Sequence, residues 1–495
     1  MLTVEPLPRS LRRGLREIAR RVMIERGLAP DFPAEALAEA EALPGDILPG
    51  DAEDLRQLPW FSIDNAGSRT LDQITTAERC GRSIRLLVAI ADVDALVPPG
   101  SALDRHARNN TRSVYTPAGN FPLLPERIAA GLGSLREGED RLAVVVEMII
   151  EADGSVSSPE IRRALVRNQA RLTYEEVADW LEDKGPLEKR AMKLSVLKRQ
   201  LRLHDEASAR LRRRRYERGA LPLERWRLDA VFECKDKVRV EPVKGTRAQE
   251  LIEDLMVATN EVTATFLAAH GLPSLQRLVR APVRWPRLVR VAANLGTALP
   301  DEPDSAALAA FLKARRLADA EGYPNLAYAV LQLVGLGEYV ADLPGRRVPG
   351  HFSLAADDYT HSTAPNRRYA DLVIQRLLKA ALACRPSPYS EDELDELAAW
   401  CTRREDDAIQ VERRVERSAG ALLLSDRIGD ELEAVVIATG EEEIQVRACE
   451  PPVMGRLKDG GEGLDVGDRI KVRVLAVDAE RGVEFEPSPP APHRR

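Results

Sequence analysis

In "FSIDNAGSRTLDQI", residues 61–74, an apolar lead-in delivers Asp64, and Asp72 follows eight residues later. Carboxylates are hard oxygen ligands of the kind that holds Mg2+. The same two residues are also ordinary polar members of a loop. Thr70 and Gln73 occupy places where a denser acidic cluster would carry further carboxylates. The pair by itself leaves both readings open.

The second stretch with chemical content is "HFSLAADDYTHSTAPNRRYADLVIQRLL", residues 351–378. Pro365 reads as the start of a helix, with Arg367, Arg368 and Asp371 in its first two turns. Helix N-termini favour anions, and guanidinium groups placed there would hold a phosphate bidentately. A surface Arg–Asp network is a reasonable reading of "RRYAD" taken alone. His351 and His361 have no Cys or His partner at zinc spacing. The chain contains neither a P-loop nor a GxSxG sequence.

These residues need a scaffold of several domains. The chain has 495 residues, 44% hydrophobic and 31% charged, which fits a globular protein of two to four domains. Aromatics are only 4%, so Leu, Val, Ile and Ala must build the cores. A net charge of −7 argues against coating nucleic acid by bulk charge but leaves room for a local basic channel. The five cysteines form no CxxC pair, which argues against a zinc ribbon or a disulfide framework. The N-terminus lacks a signal-peptide pattern, and no apolar run approaches the roughly 20 residues of a membrane span. A cytoplasmic protein is the expectation.

Residues 10–27 read as a helix capped by Ser10, and a second helix starts near Pro33. The Pro/Gly/Asp-rich segment 43–59 then forms a linker. This first unit is either a helix-turn-helix module or a structural appendage. From about 60 to 160 the pattern becomes strands, with buried runs at 84–93 and 141–156. Residues 187–218 form a strongly basic helix, either a solvated face or a phosphate-facing wall. Helices follow at 246–270, 366–384 and 390–424. Five short strands between about 428 and 487 suggest an OB-fold barrel.

Three blocks together resemble the RNase II/RNase R (RNB) family of 3′-to-5′ exoribonucleases. They are 62–135, "RGALPL…LIEDLMVATN" (218–260), and the 351–378 stretch, in the family's order. The resemblance implies that Asp64 and Asp72 belong to a metal-binding Asp cluster at the base of an RNA channel. Two other positions of that cluster are Thr70 and Gln73 here, which offer a hydroxyl and an amide oxygen without charge. One tight ion, or ions recruited with RNA, is therefore expected. Arg367 and Arg368 match the family's basic pair at the scissile phosphate. Tyr115 matches the aromatic that stacks on the terminal base, and Phe232 is the candidate for the opposing ring or else a core residue. Glu416 matches a carboxylate near the 3′-terminal ribose, with a surface pairing to a neighbouring Arg as its other reading. The family often has Ser at Ala364, Ile at Asn366 and His at Gln375, and these departures read as tolerable. The barrel carries one aromatic, Phe485, where RNA-binding OB folds display several.

The expected architecture is α+β and multidomain. A small helical unit spans 1–58, a mixed α/β RNB catalytic domain 59–425, and an S1-like OB-fold barrel 426–495. The expected function is Mg2+-dependent hydrolysis of RNA from its 3′ end to nucleoside 5′-monophosphates, with Mn2+ as an alternative ion. The expected partner is single-stranded RNA with a free 3′ end, bound by a monomer without membrane contact. The rival is an RNA-binding protein that kept the fold and lost the chemistry, on the strength of Thr70 and Gln73.

Overall fold

The computed structural model describes residues 9–488 except 46–49, 189, 224–226, 234–236, 244, 321, 347, 440–443, 460, 462 and 465. Side chains are described for the same residues other than 9–12, 227–233, 237–243 and 324–325.

Helix α1 (Arg9–Glu25) runs through Ser10, which therefore lies inside the helix and does not cap it. The chain leaves it at Gly27, whose φ of +72° a glycine adopts without strain. Its apolar stripe, Leu15, Ala19 and Met23, is buried with Phe121, Val411 and Val415. Helix α2 (Ala34–Ala42) follows Pro33 and buries Ala36 and Ala40 in the main core. The two helices thus enter two different apolar clusters of the body.

The body begins with β1 (Glu53–Asp54), β2 (Ser62–Asp64), β3 (Gln73–Cys80) and β4 (Ser83–Ala91). Helix α3 (Ala102–Asn110), the hairpin β5 (Val114–Thr116) and β6 (Gly119–Phe121), and a π-helical turn at Arg127–Leu132 come next. Strands β7 (Asp140–Ile150), β8 (Val156–Arg167) and β9 (Arg171–Thr173) complete this part. Five strands form one sheet in the order β1-β8-β7-β4-β3, antiparallel except for β1 against β8. Strand β2 lies outside it and pairs in parallel with β9.

Helices α4 (Tyr174–Leu181), α5 (Leu194–Glu217) and α6 (Arg247–Ala269) follow, with the antiparallel pair β10 (Arg227–Glu233) and β11 (Lys237–Val243) between the last two. The basic helix starts at Leu194, seven residues later than its charge pattern suggests. Its arginines are largely engaged within the protein: Arg212 and Arg215 both bind Asp254, and Arg210 binds Glu206. A helical insertion, α7 (Trp285–Asn294), α8 (Ser305–Ala318) and α9 (Tyr323–Val334), lies between β12 (Ser274–Leu278) and β13 (Glu338–Asp342) and has its own core around Trp285 and Phe311.

Helix α10 (Tyr369–Leu382) is almost wholly buried, and α11 (Glu391–Leu423) is the longest, opened by a Ser390–Glu393 capping box. The chain ends in β14 (Glu431–Thr439), β15 (Ile444–Ala448), β16 (Met454–Leu457), β17 (Arg469–Asp478) and β18 (Gly482–Pro487), a closed barrel in the order β14-β15-β16-β18-β17. Phe485 fills its centre at 0% exposure. A Cβ on Gly455 would stand 2.5 Å from the Phe485 ring, so this position must be glycine. Phe485 is therefore committed to packing, and the described barrel surface offers no ring on which a base could stack.

Candidate active site

Asp64 is the last residue of β2, and Asp72 immediately precedes β3. The Asp72 carbonyl accepts a hydrogen bond from the Ala91 N–H at 2.9 Å, which joins it to the end of β4. Between the two aspartates the chain loops out and back. Arg171 holds that loop by donating to the carbonyls of Ala66 at 2.9 Å and Ser68 at 2.6 Å.

Both carboxylates are buried, Asp64 at 7% and Asp72 at 3% exposure. Burial, joined by the charge of Asp72 and only partly opposed by the Ser62 hydroxyl, Arg171 and Arg367, pushes the Asp64 pKa up to about 7. Asp64 Oδ2 is buried without a hydrogen-bond partner. Burial also raises Asp72, against Arg367 and two donors from Asn366. Two coupled buried carboxylates, one with an orphaned oxygen, form a site that a divalent cation would complete. The donor set fits one hard ion with water and phosphate as further ligands. Among the described residues no group of three His, Cys, Asp or Glu side chains converges for a metal. Gln73, buried as the first residue of β3 opposite Ile90, and the half-buried Thr70 are the neutral neighbours.

The basic pair reaches this site differently from its sequence reading. Pro365 does not open the helix: α10 begins at Tyr369, and Arg368 is its extended N-cap residue. Residues 365–367 instead form a turn, with the Arg367 and Arg368 N–H groups donating to Ala364 O at 3.1 and 3.0 Å, and long-range pairing holds its end. Ser113 N–H donates to Arg367 O at 3.0 Å, and Tyr369 N–H donates to Thr111 O at 2.7 Å. Helix α10 is anchored below by Gln375, whose side chain donates to Ala91 O at 2.7 Å and accepts from Asp94 N–H at 3.1 Å. Arg376 adds Asp94 at 2.7 Å and Asp104 at 2.8 Å.

The two arginines then part company. Arg367 is half-exposed, with Nε 3.5 Å from Asp72 Oδ2 and Tyr115 close enough to bear on its charge. Arg368 forms a two-point bond to Asp371, at 2.9 and 2.8 Å, and donates to Thr363 at 3.3 Å. The Arg–Asp network describes Arg368, while Arg367 keeps a face toward solvent.

Tyr115 sits in the β5–β6 hairpin, 43% exposed. Glu412 of α11 fixes it: one carboxylate oxygen accepts from the Tyr115 N–H and from Arg112, each at 3.0 Å. Glu416 lies one turn further along α11. It touches solvent, yet desolvation and then the charge of Glu412 push its pKa up to about 7, against Arg413. Phe232 lies in β10 opposite Val238, and its side chain is outside the described residues. The structure thus brings Asp64, Asp72, Arg367 and Tyr115 together and adds Asn366, Glu412 and Arg112, which the sequence reading left unassigned. Arg112 stands three residues before Tyr115, a usable hint; Glu412 carries no local signal.

The RNB domain family matches residues 52–384, and the RNase II-type exonuclease C-terminal S1 domain matches residues 430–488. Ribonuclease R 1 of Lactococcus lactis subsp. lactis is 31% identical over 432 residues, covering 84% of this chain and 51% of that protein. The chain therefore spans about half the length of this curated relative. Mycoplasma genitalium RNase R, solved in complex with ribose methylated single-stranded RNA, shares the fold with a TM-score of 0.84 at 24% identity, over 96% of this chain and 78% of that one. Yeast Ssd1, described as a pseudonuclease, shares it with a TM-score of 0.70 at 17% identity, over 94% and 59%.

Proposed function

This chain belongs to the RNB domain family, and on that premise we propose that it is a hydrolytic, Mg2+-dependent 3′-to-5′ exoribonuclease that releases nucleoside 5′-monophosphates. The observation that carries the proposal is the buried Asp64–Asp72 pair, with its orphaned oxygen, joined through Arg367 to the exposed ring of Tyr115.

In this reading RNA enters 3′ end first. Tyr115 stacks on a terminal base, which suits degradation because every base has a π-face. Arg367 turns its fork toward the scissile phosphate, where it stabilises charge that grows in the transition state. Its 3.5 Å approach to Asp72 is loose enough to release that fork to a phosphate oxygen. Glu416 accepts a hydrogen bond from a ribose 2′-OH, one route to preferring RNA over DNA. Asp64 and Asp72 hold the ion, with Gln73 and Thr70 as neutral oxygens nearby. When bound, the ion supplies an activated water and a polarised phosphoryl oxygen. Arg368 supports the site through Asp371.

A second reading has its own observation: among the described residues no group of three His, Cys, Asp or Glu side chains converges, where a two-metal site needs several carboxylates, and a structural neighbour is described as a pseudonuclease. The protein would then bind RNA without cutting it. The test is 5′-end-labelled single-stranded RNA incubated with Mg2+ or with EDTA. A ladder that shortens from the 3′ end only in Mg2+ supports the enzyme. RNA retained in a gel shift but left intact supports the binding protein.

A further inference from the structure

Asn366 stands between the arginine segment and the metal carboxylates, with 1% exposure. Its backbone N–H donates to Asp72 Oδ1 at 3.2 Å, and its side-chain Nδ2 donates to the same oxygen at 3.0 Å. Nδ2 also donates to Gly133 O at 2.6 Å. The orientation of the amide follows from these partners: turned over, its oxygen would face a carboxylate and a carbonyl with no proton between them. The Asn366 Oδ1 that remains is buried without a partner and lies 2.7 Å from where a Cβ on Gly133 would be. It lies against Gly133. Gly133 closes the π-helical turn, its N–H donating to Ile128 O at 2.8 Å. The turn fixes Gly133 O, Gly133 O fixes the amide, and the amide fixes Asp72.

We propose that Asn366 is a positioning residue that locks the rotation of the Asp72 carboxylate, saturating Oδ1 and presenting Oδ2 to the divalent cation. The inference rests on the metal reading of the site. Among the described residues Asp72 Oδ2 has the Arg367 contact at 3.5 Å and no closer donor, so it is the oxygen with capacity for a cation. A carboxylate free to rotate would spend part of its time with both oxygens misdirected. With two carboxylates in the site instead of a larger cluster, the orientation of each matters more. Groups that orient a ligand in this way are typically worth about 10–100-fold in metal affinity.

The experiment uses Asn366→Leu, close in shape but without the side-chain donor, and Asn366→Ser, smaller and also without Nδ2; both keep the backbone donor to Asp72. Mn2+ is the probe, followed by electron paramagnetic resonance in protein alone and in protein holding a 2′-O-methylated oligoribonucleotide. Oligonucleotide affinity in EDTA serves as the folding control. The expected result is a loss of Mn2+ affinity of about 10–100-fold in Asn366→Leu, with oligonucleotide affinity in EDTA within about twofold of the parent. The Mg2+ concentration for half-maximal cleavage rises by the same factor, and kcat at saturating Mg2+ recovers. Mn2+ affinity equal to the parent in either variant overturns the proposal. Parallel loss of Mn2+ and oligonucleotide affinity in both variants also overturns it, since Asn366 would then be a general structural residue. If the parent protein retains no Mn2+ in either arm, the metal reading itself fails and this role fails with it.

Discussion

Glu412→Ala should detach Tyr115 from the site without touching the metal. Glu412 is 17% exposed at its side chain and holds two donors on one oxygen, the Tyr115 N–H and Arg112, each at 3.0 Å. Hydrogen bonds to a charged group are worth about 1.5–3 kcal/mol, so removing both frees the hairpin to move. The effect on RNA has a ceiling. Through the ring that Glu412 positions, the loss is limited by stacking, worth about 1–3 kcal/mol per base. Affinity for a short oligoribonucleotide should therefore fall by about 5–150-fold in Tyr115→Ala, and Glu412→Ala should approach but not exceed that loss. Glu412→Gln keeps an acceptor and should fall between. A long RNA has many other contacts, so its initial cleavage rate should barely change in any of the three, while the limit product lengthens. The assay is short-oligomer binding in EDTA beside the product ladder on a denaturing gel. The decisive comparison is the double variant, which should bind like Tyr115→Ala alone. Additive losses would show that Glu412 contacts RNA independently. A limit product of parental length in Tyr115→Ala would remove the ring from the RNA path.

Asp72→Asn should nearly abolish cleavage while RNA affinity stays within a few-fold, and Gln73→Asp should lower the Mg2+ needed for half-maximal rate; an unchanged Mg2+ titration places Gln73 away from the ion. Arg367→Lys keeps the charge and loses the fork, so steady-state kinetics should show kcat falling more than binding; loss of binding alone would make Arg367 an anchor. His204 is fully buried between Thr75 and Gln200 O, and desolvation lowers its pKa from 6.5 to about 4. Below pH 6.5 the unfolded chain takes up a proton that the folded chain refuses, so stability falls as pH falls. The linkage amounts to about 2 kcal/mol between pH 7 and pH 5, and urea melts of His204→Gln should lack that part of the slope.

What the sequence determined by itself was the local grammar. Thr246 with Gln249 and Ser390 with Glu393 announce the starts of α6 and α11, because a capping box is written within four residues. The apolar run at 84–93 forms the buried strand β4, and the 428–487 segment closes into its five-stranded barrel, because strand patterning and glycine turns are also local. The motif around Asp64, Asp72 and Arg367 was legible as an ordered set of residue types.

Tertiary structure decided what those residues face. Pro365 looked like a helix start, but 365–367 form a turn on Ala364 O, the pairing with Ser113 and Thr111 holds Arg368 extended, and Arg367 is left free to turn toward Asp72. The arginines of "RRYAD" are neighbours in sequence and opposites in role, because only Arg368 has Asp371 within a two-point bond. Asn366 and Gln375 read as tolerated departures and are instead a bond to Asp72 and a tie to β4. Glu412 could not be found from the sequence, since its partner Tyr115 is 297 residues away. Caps and strand alternation depend on neighbours along the chain. A buried carboxylate's pKa and the direction of a guanidinium depend on neighbours in space, and those exist only once the chain has folded.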